Sequence, residues 1–503
     1  MYFQYNLNIE LEGVDMGIKQ VPKIGISIIV SIILILSICI PALPQKSLAD
    51  TSKMQQAEQI VSQMSLEEKI AQMIVFPIRQ WEYTPGSPSD LTTMPDGLAN
   101  IIKKYHAGGI ILYGQNCVTT EQLVTLNYNL QQAASADGGT PILLAVDQEG
   151  GTVSRLNSGT RMPGSMNVGA SRDLGVCSSN YKILADESKA CGFTVDFAPS
   201  VDVNCNPANP IIGLRSFSSN QDLVSQFGLT AVQSILNEGI VGCIKHFPGH
   251  GDTDTDSHTG LPLVNKDMDQ LNSCELVPYR YIGSNASMVM SAHIEFPQIE
   301  TTPYTDIHGE QIFLPATLSK KFMSDILRPI VGDECVCSTD GLEMEAIKDH
   351  FLSSDVIRLG IEAGNDILLN PFDATNETVF HTAFWTDINP VMNLINDPSS
   401  SIDEARITKS AERIVNMKLK YQIINNPDTR SLDQRISDAN SFVGCASNHE
   451  QERLNSQKGI TLVKNENNLL PLKPASGDKI LCITELENTP NAFTCEIARL
   501  QHI

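Results

Sequence analysis

From residue 50 onward, short apolar runs rich in Ile, Val, Leu and Met alternate with longer stretches in which apolar residues recur at helical spacing. The runs predict buried strands and the longer stretches amphipathic helices, so the alternation predicts repeated βα units around a parallel sheet. The candidate strands are residues 73–76, 109–112, 142–146, 194–198, 241–245, 288–292, 335–339 and 366–369. Eight such runs predict an α/β chain built on a (β/α)8 TIM-type barrel, with an open doubly wound sheet as the competing arrangement.

A helical stretch at 402–421 closes this unit, and the polar cluster Asn425, Asn426, Pro427, Asp428 reads as a linker. Beyond it, 450–458 reads as a helix and 459–463 and 479–483 as strands, punctuated by Asn467, Asn468, Pro471 and Pro474. The expected organisation is a barrel over 50–424, followed over 425–503 by a linker and a partial C-terminal α/β domain. That remainder is short for an independent α/β domain.

The residues just after the strand runs carry the chemistry. Asp147 follows the third run, His246 the fifth, His293 the sixth, Asp340 the seventh and Asn370 the eighth. In a (β/α)8 barrel the strand ends converge on one mouth, so these distant positions are expected to meet there.

Residues 1–49 have a different character. The run 24–40 has no charge, Lys19 and Lys23 precede it, and Ser47-Leu48-Ala49 follows it. That order reads as a secretory signal cleaved after Ala49, with Met16 as a plausible start, and it predicts a secreted or cell-envelope protein. The alternative is an uncleaved anchor, which is the one route to membrane association. Cys39 makes a poor lipoprotein site, because Ile38 stands where a small residue is expected.

A formal charge of -23 repels nucleic-acid phosphates, and no dense basic block offsets it, so nucleic acid is not an expected partner. The 12 cysteines are dispersed, several within apolar runs, and read as buried thiols. Cys335 and Cys337 point to one face of a strand, but two ligands without a further pair do not make a zinc site.

The densest polar cluster, KHFPGHGDTDTDSH at 245–258, admits three readings. A metal site would use His246, His250 and His258, but the HExxH spacing is missing. A calcium loop would use Asp252, Asp254 and Asp256, but Ser257 holds the glycine position and Leu263 the glutamate position. The third reading is acid/base catalysis: Asp256, two residues before His258, can set the tautomer of the imidazole and stabilise its cation. No metal or cofactor is expected.

In Ser338-Thr339-Asp340-Gly341-Leu342-Glu343, a carboxylate at a strand end can attack an anomeric carbon. Glu343 is a rival, expected in the following turn. Asp147, Arg155 and Arg215 form a candidate sugar clamp of carboxylate and guanidinium groups. Each taken alone also fits a surface ion pair or a loop anchor.

Together, KHFPGHGDTDTDSH, DQEGGTVSRL, DVNCNPANPIIGLRSF, MSAHIEFP and TDGLEM resemble the motif set of glycoside hydrolase family 3, in its β-N-acetylglucosaminidase (β-N-acetylhexosaminidase) branch. The resemblance runs from Asp147 to Met344, with weaker similarity from Met64 and again at GITLVKNENNLLPL. It implies a retaining mechanism with Asp340 as nucleophile, His258 as general acid/base and Asp256 as its orienting partner. It also implies that Asp147, Arg155, Arg215, Lys245 and His246 hold the non-reducing-end sugar of an N-acetylglucosamine-containing glycan.

Combined with export, the resemblance points to peptidoglycan fragments, with chitin oligomers as the alternative. A neutral imidazole repels an incoming anion less than a carboxylate does, so some phosphorolysis is expected beside hydrolysis. Two departures stand out. Thr339 replaces the serine the family often carries, and relatives with a second domain have a longer one. A β-glucosidase lacks the DSH motif, and a catalytically silent glycan-binding protein is the alternative from another class.

Overall fold

The computed structural model describes residues 48–468 and 470, apart from 398 and 399. The apolar run 24–40, with its signal or anchor reading, and the strand expected at 479–483 lie outside the described residues.

Eight parallel strands form the centre: β1 Ile74–Pro77, β2 Gly109–Ile111, β3 Leu143–Val146, β4 Val195–Asp196, β5 Val241–Phe247, β6 Met288–Ser291, β7 Val336–Ser338 and β8 Leu368–Leu369. Each pairs with its sequence neighbour, and β1 also pairs with β8, at Ile74↔Leu368 and Val75↔Leu369. A bridge between Ser338 and Ile367 joins β7 to β8 and completes the circuit. The open doubly wound sheet is thereby excluded, since it would leave two free edges.

All eight strands fall where apolar runs stand, because each is buried on both faces, by side chains filling the barrel and by helices outside it. The register is tight enough to exclude side chains at points. A Cβ on Gly108, just before β2, would lie 1.9 Å from the Gln72 carbonyl oxygen. The structure extends β5 two residues past its predicted end, which brings His246 into the strand.

Outer helices begin at side-chain caps: Thr119 before Thr120–Ala134, Asp173 before Leu174–Ala190, Asn220 before Gln221–Asn237 and Asp403 before Glu404–Lys420. The last is the helix expected at 402–421. Two short hairpins, Gln80–Thr84 with Ser87–Asp90 and Pro303–Thr305 with Gln311–Phe313, lie in the segments that follow β1 and β6.

Asp366, two residues before β8, sits at the end of the barrel opposite the mouth. It accepts hydrogen bonds from Arg328, Arg413 and Ser410 and from the Cys337 amide. Burial opposes its ionisation, but the arginines hold its pKa down at about 2. This cluster is structural, as expected on the closed face of such a barrel.

The C-terminal part differs from expectation. Helices Leu432–Phe442 and Ala446–Lys458 pack on the barrel's outer helices. Glu187 accepts from the Gly444 amide and from Asn448, and Asn455 bonds Ser179. Packing therefore continues past residue 424, through 458. The strand expected at 459–463 does not form among the described residues: no neighbouring strand pairs with it, and Ile460, Leu462 and Val463 stand exposed. An apolar run becomes a strand only where a ladder partner exists.

Candidate active site

The loop after β5 is built on a buried carboxylate to which the sequence reading gave no role. Asp202 takes the His246 Nδ1 bond at 2.7 Å, the His250 amide at 2.6 Å and the His246 amide at 3.3 Å. Burial alone would raise its pKa, but His246 and His250 hold it well below the carboxylate range. The chain then passes so close to its neighbour that a Cβ on Gly251 would lie 1.8 Å from the Val203 carbonyl oxygen. His250 latches the loop through Thr253 Oγ1 at 2.8 Å and Ser257 Oγ at 3.1 Å. Burial, with His246 nearby, lowers its pKa to about 4, so it is a neutral structural group near pH 7.

At the end of this loop, His258 bonds Asp256 Oδ1 twice, through its backbone amide at 2.9 Å and its ring Nδ1 at 2.8 Å. The carboxylate is an acceptor, which assigns the Nδ1 proton and leaves Nε2 as the basic site of the neutral ring. The His258 side chain is 60% exposed and that of Asp256 25%. Burial works against the Asp256 charge, but the amide and ring of His258 lower its pKa.

Four of the five clamp residues, Asp147, Arg215, Lys245 and His246, form one network through Glu149, and Arg155 stands apart from it. Glu149 accepts from Arg215 Nη2 at 2.7 Å and Nε at 2.9 Å, and pairs with Lys245 Nζ at 2.6 Å. Lys245 also reaches Asp147 Oδ1 at 2.7 Å, and Arg215 Nη2 lies 3.4 Å from His246 Nε2. Glu149 is buried and, against the effect of burial, Arg215 and Lys245 keep it ionised. The Asp147 side chain remains 21% exposed, so it is the network's outward carboxylate. Arg155 is held by its amide, which donates to Gln148 Oε1 at 2.7 Å; its buried Nε has no hydrogen-bond partner among the described residues.

Asp340 stands two residues beyond β7, and its Oδ1 accepts from the Gly341 amide at 2.8 Å. Burial disfavours its charge, yet the fields of His246 and His293, with the Gly341 amide and Lys245, lower its pKa. His293 is fixed between Thr317 Oγ1 at 3.0 Å and the Gly341 carbonyl at 2.9 Å. Burial lowers the His293 pKa; Asp340 opposes this, while His258 and His246 reinforce it. His293 thus lies within electrostatic range of both the carboxylate and the loop imidazole.

Glu343 sits in the turn where the sequence placed it, but its side chain reaches back among strand-end residues. Its Oε1 accepts from Arg79 Nη2 at 2.5 Å and from Asn370 Nδ2 at 2.9 Å. Asn370 bonds the Tyr113 hydroxyl at 2.7 Å, and the Arg79 guanidinium lies 4.1 Å from the Tyr113 ring centre. Burial raises the Glu343 pKa despite Arg79.

Arg79, Tyr113, Glu149 and Asp202 are the participants to which sequence reasoning gave no role. Arg79 and Tyr113 stand two residues beyond β1 and β2, so the strand-end rule, applied to the first two strands as well, would have found them.

A closed eight-stranded barrel with carboxylates, imidazoles and guanidinium groups gathered at its strand ends defines the class: a (β/α)8 protein with an acid/base site at its C-terminal mouth. Residues 65–417 match the model of the glycosyl hydrolase family 3 N-terminal domain, and the chain belongs to that family. It is 35% identical over 394 residues to β-hexosaminidase A of Pseudoalteromonas piscicida; the match takes in 76% of this chain and 63% of that relative's length. Against a β-hexosaminidase of Neisseria gonorrhoeae it is 34% identical, over 52% of this chain and 70% of the relative. A solved family 3 β-N-acetylglucosaminidase from Paenibacillus sp. str. FPU-7 superposes with a TM-score of 0.69 at 31% identity, over 80% of this chain and 70% of that one.

Proposed function

We propose that this chain is a retaining exo-β-N-acetylglucosaminidase acting on cell-wall glycan fragments. One arrangement supports the assignment: Asp340 stands at a strand end with its Oδ1 accepting from the Gly341 amide, the Gly341 carbonyl accepts from His293, and Asp256 sets the tautomer of the loop imidazole.

In the first step Asp340 attacks the anomeric carbon while protonated His258 gives its Nε2 proton to the leaving oxygen, forming a glycosyl-aspartate. In the second step neutral His258 takes a proton from water, the water oxygen bonds the anomeric carbon, and the Asp340 carboxylate leaves. Asp256 stabilises the imidazolium that forms and re-forms. Asp147, Arg155, Arg215, Lys245 and His246 hold the terminal sugar, with Glu149 positioning Arg215 and Lys245 and Asp202 positioning His246. Peptidoglycan fragments are the substrate in this reading and chitin oligomers the alternative, with the chain exported by its N-terminal segment.

A chromogenic N-acetylglucosaminide tests the chemistry. Wild type is expected to release the chromophore and Asp340→Asn to lose release by about 10³-fold or more while still binding sugar. Binding without turnover by the wild type would make the chain a glycan-binding protein instead. Product analysis on purified muropeptides beside chito-oligosaccharides decides the substrate.

A further inference from the structure

Beneath the loop that carries His258 lies a pair of cysteines the proposed chemistry does not use. Cys205 Sγ and Cys274 Sγ are 3.1 Å apart although 69 residues separate them in sequence. Among the described residues six other cysteines are buried, whereas Cys205, Cys274 and Cys445 are partly open to solvent. Neither member of the contact is sealed in the core.

Their surroundings hold the acid/base loop from two sides. Next to Cys205, the Asn206 amide donates to the Gly251 carbonyl at 3.1 Å and its side chain to the Thr253 carbonyl at 3.2 Å. Next to Cys274, Glu275 lies against Gly249, where an added Cβ would meet the glutamate stem at 2.8 Å. Lys266 bridges Glu275 to Asp252 of the same loop. The two sulfurs thus join the two supports on which residues 249–258 rest.

A metal is the competing use, since Glu275 lies within reach of both sulfurs. Two thiolates around one tetrahedral zinc stand about 3.8 Å apart, wider than this contact. The Lys266 ammonium, paired with Glu275 Oε1 and Asp252, already places a cation beside this group and would repel a second one, although Glu275 Oε2 has no hydrogen-bond partner among the described residues.

We propose that Cys205 and Cys274 are a thiol–disulfide pair whose closure staples the supports of the acid/base loop together. Either sulfur can donate in their mutual hydrogen bond; when Cys205 donates, Cys274 is the favoured thiolate and the attacking group. It attacks one sulfur of a small-molecule disulfide such as oxidised glutathione, forming a mixed disulfide and expelling one thiolate. The Cys205 thiolate then attacks the Cys274 sulfur and expels the second. Two electrons pass to the oxidant, and the two cysteine protons end on the released thiols.

The test uses the full chain treated with oxidised glutathione, alkylated, digested without reduction and analysed by mass spectrometry. One linked peptide joining Cys205 to Cys274 is expected, with two fewer thiols titrating in the native protein. Alkylated Cys205 and Cys274 after oxidation, a different pairing, or stoichiometric zinc binding lost in Cys274→Ser would each overturn the pair. For the staple, hydrogen exchange at the amides of 249–258 should slow by roughly tenfold on oxidation, and not in Cys205→Ser. A crosslink that leaves this exchange unchanged would refute the stapling. Both readouts are independent of whether His258 acts as the acid, so this inference and the proposed chemistry fail separately.

Discussion

His258 directs both its backbone amide and its ring Nδ1 to the same oxygen, Oδ1 of Asp256, at 2.9 and 2.8 Å. One carboxylate therefore fixes both where the imidazole stands and which nitrogen carries its proton. Of the two groups, the imidazole is much the more open, as its proposed role as a proton shuttle requires.

It follows that His258→Ala should slow aryl N-acetylglucosaminide hydrolysis about 10²–10⁴-fold for poor leaving groups and little for good ones. Asp256→Asn should show the same pattern more weakly, because the asparagine oxygen still accepts from the ring but carries no charge. Equal losses across a leaving-group series would argue against the imidazole as the acid.

Glu149 is a buried anion shared by two cations. Glu149→Ala leaves Arg215 and Lys245 facing each other without their common partner, and an expected cost of about 3–5 kcal/mol follows. Urea denaturation measures it. Asp147→Ala, which removes the more exposed partner, should spare stability and raise KM instead; the opposite ranking would show that the outward carboxylate is the structural one.

Two buried groups give pH windows of the same sign. The folded pKa of His250 is depressed to about 4, so the unfolded chain binds a proton that the folded one refuses, and stability falls between pH ~6.5 and about 4. Asp366 is depressed to about 2 by Arg328, Arg413 and Arg406 acting against burial. Its contribution, about 2 kcal/mol, is present above pH ~3.9 and disappears as pH falls to about 2. Melting temperature against pH in wild type and Asp366→Asn should converge below pH ~3.9; a gap that stays constant would assign the effect elsewhere.

Added phosphate offers a further check. If the neutral His258 admits an anion to the glycosyl-enzyme, the products should include sugar-1-phosphate in proportion to phosphate concentration. Chromatography that finds only free sugar up to high phosphate removes phosphorolysis from the expected reactions.

The barrel was legible because its strands are buried on both sides and so read as unbroken apolar runs, as at Leu143–Val146 and Met288–Ser291. Asp147, His246, His293, Asp340 and Asn370 were legible by position, since residues at or within two places of the C-terminal end of a barrel strand lie at the mouth. The strand expected at 459–463 failed for a complementary reason: apolar spacing records a propensity, whereas pairing needs a neighbour. Asp202 and Glu149 were overlooked because a buried acid that positions a histidine or an arginine looks, in sequence, like any loop acid.

Local periodicity and spacing therefore sufficed for the βα repeat, the places of the eight strands and the DSH loop, though not for the exact strand ends. Folding in three dimensions was needed to set which carboxylates point outward and which are held beneath them, to bring two cysteines 69 residues apart into contact, and to pack 432–458 on the barrel. Those outcomes depend on burial and on partners from distant segments, and neither is written into the neighbourhood of any one residue.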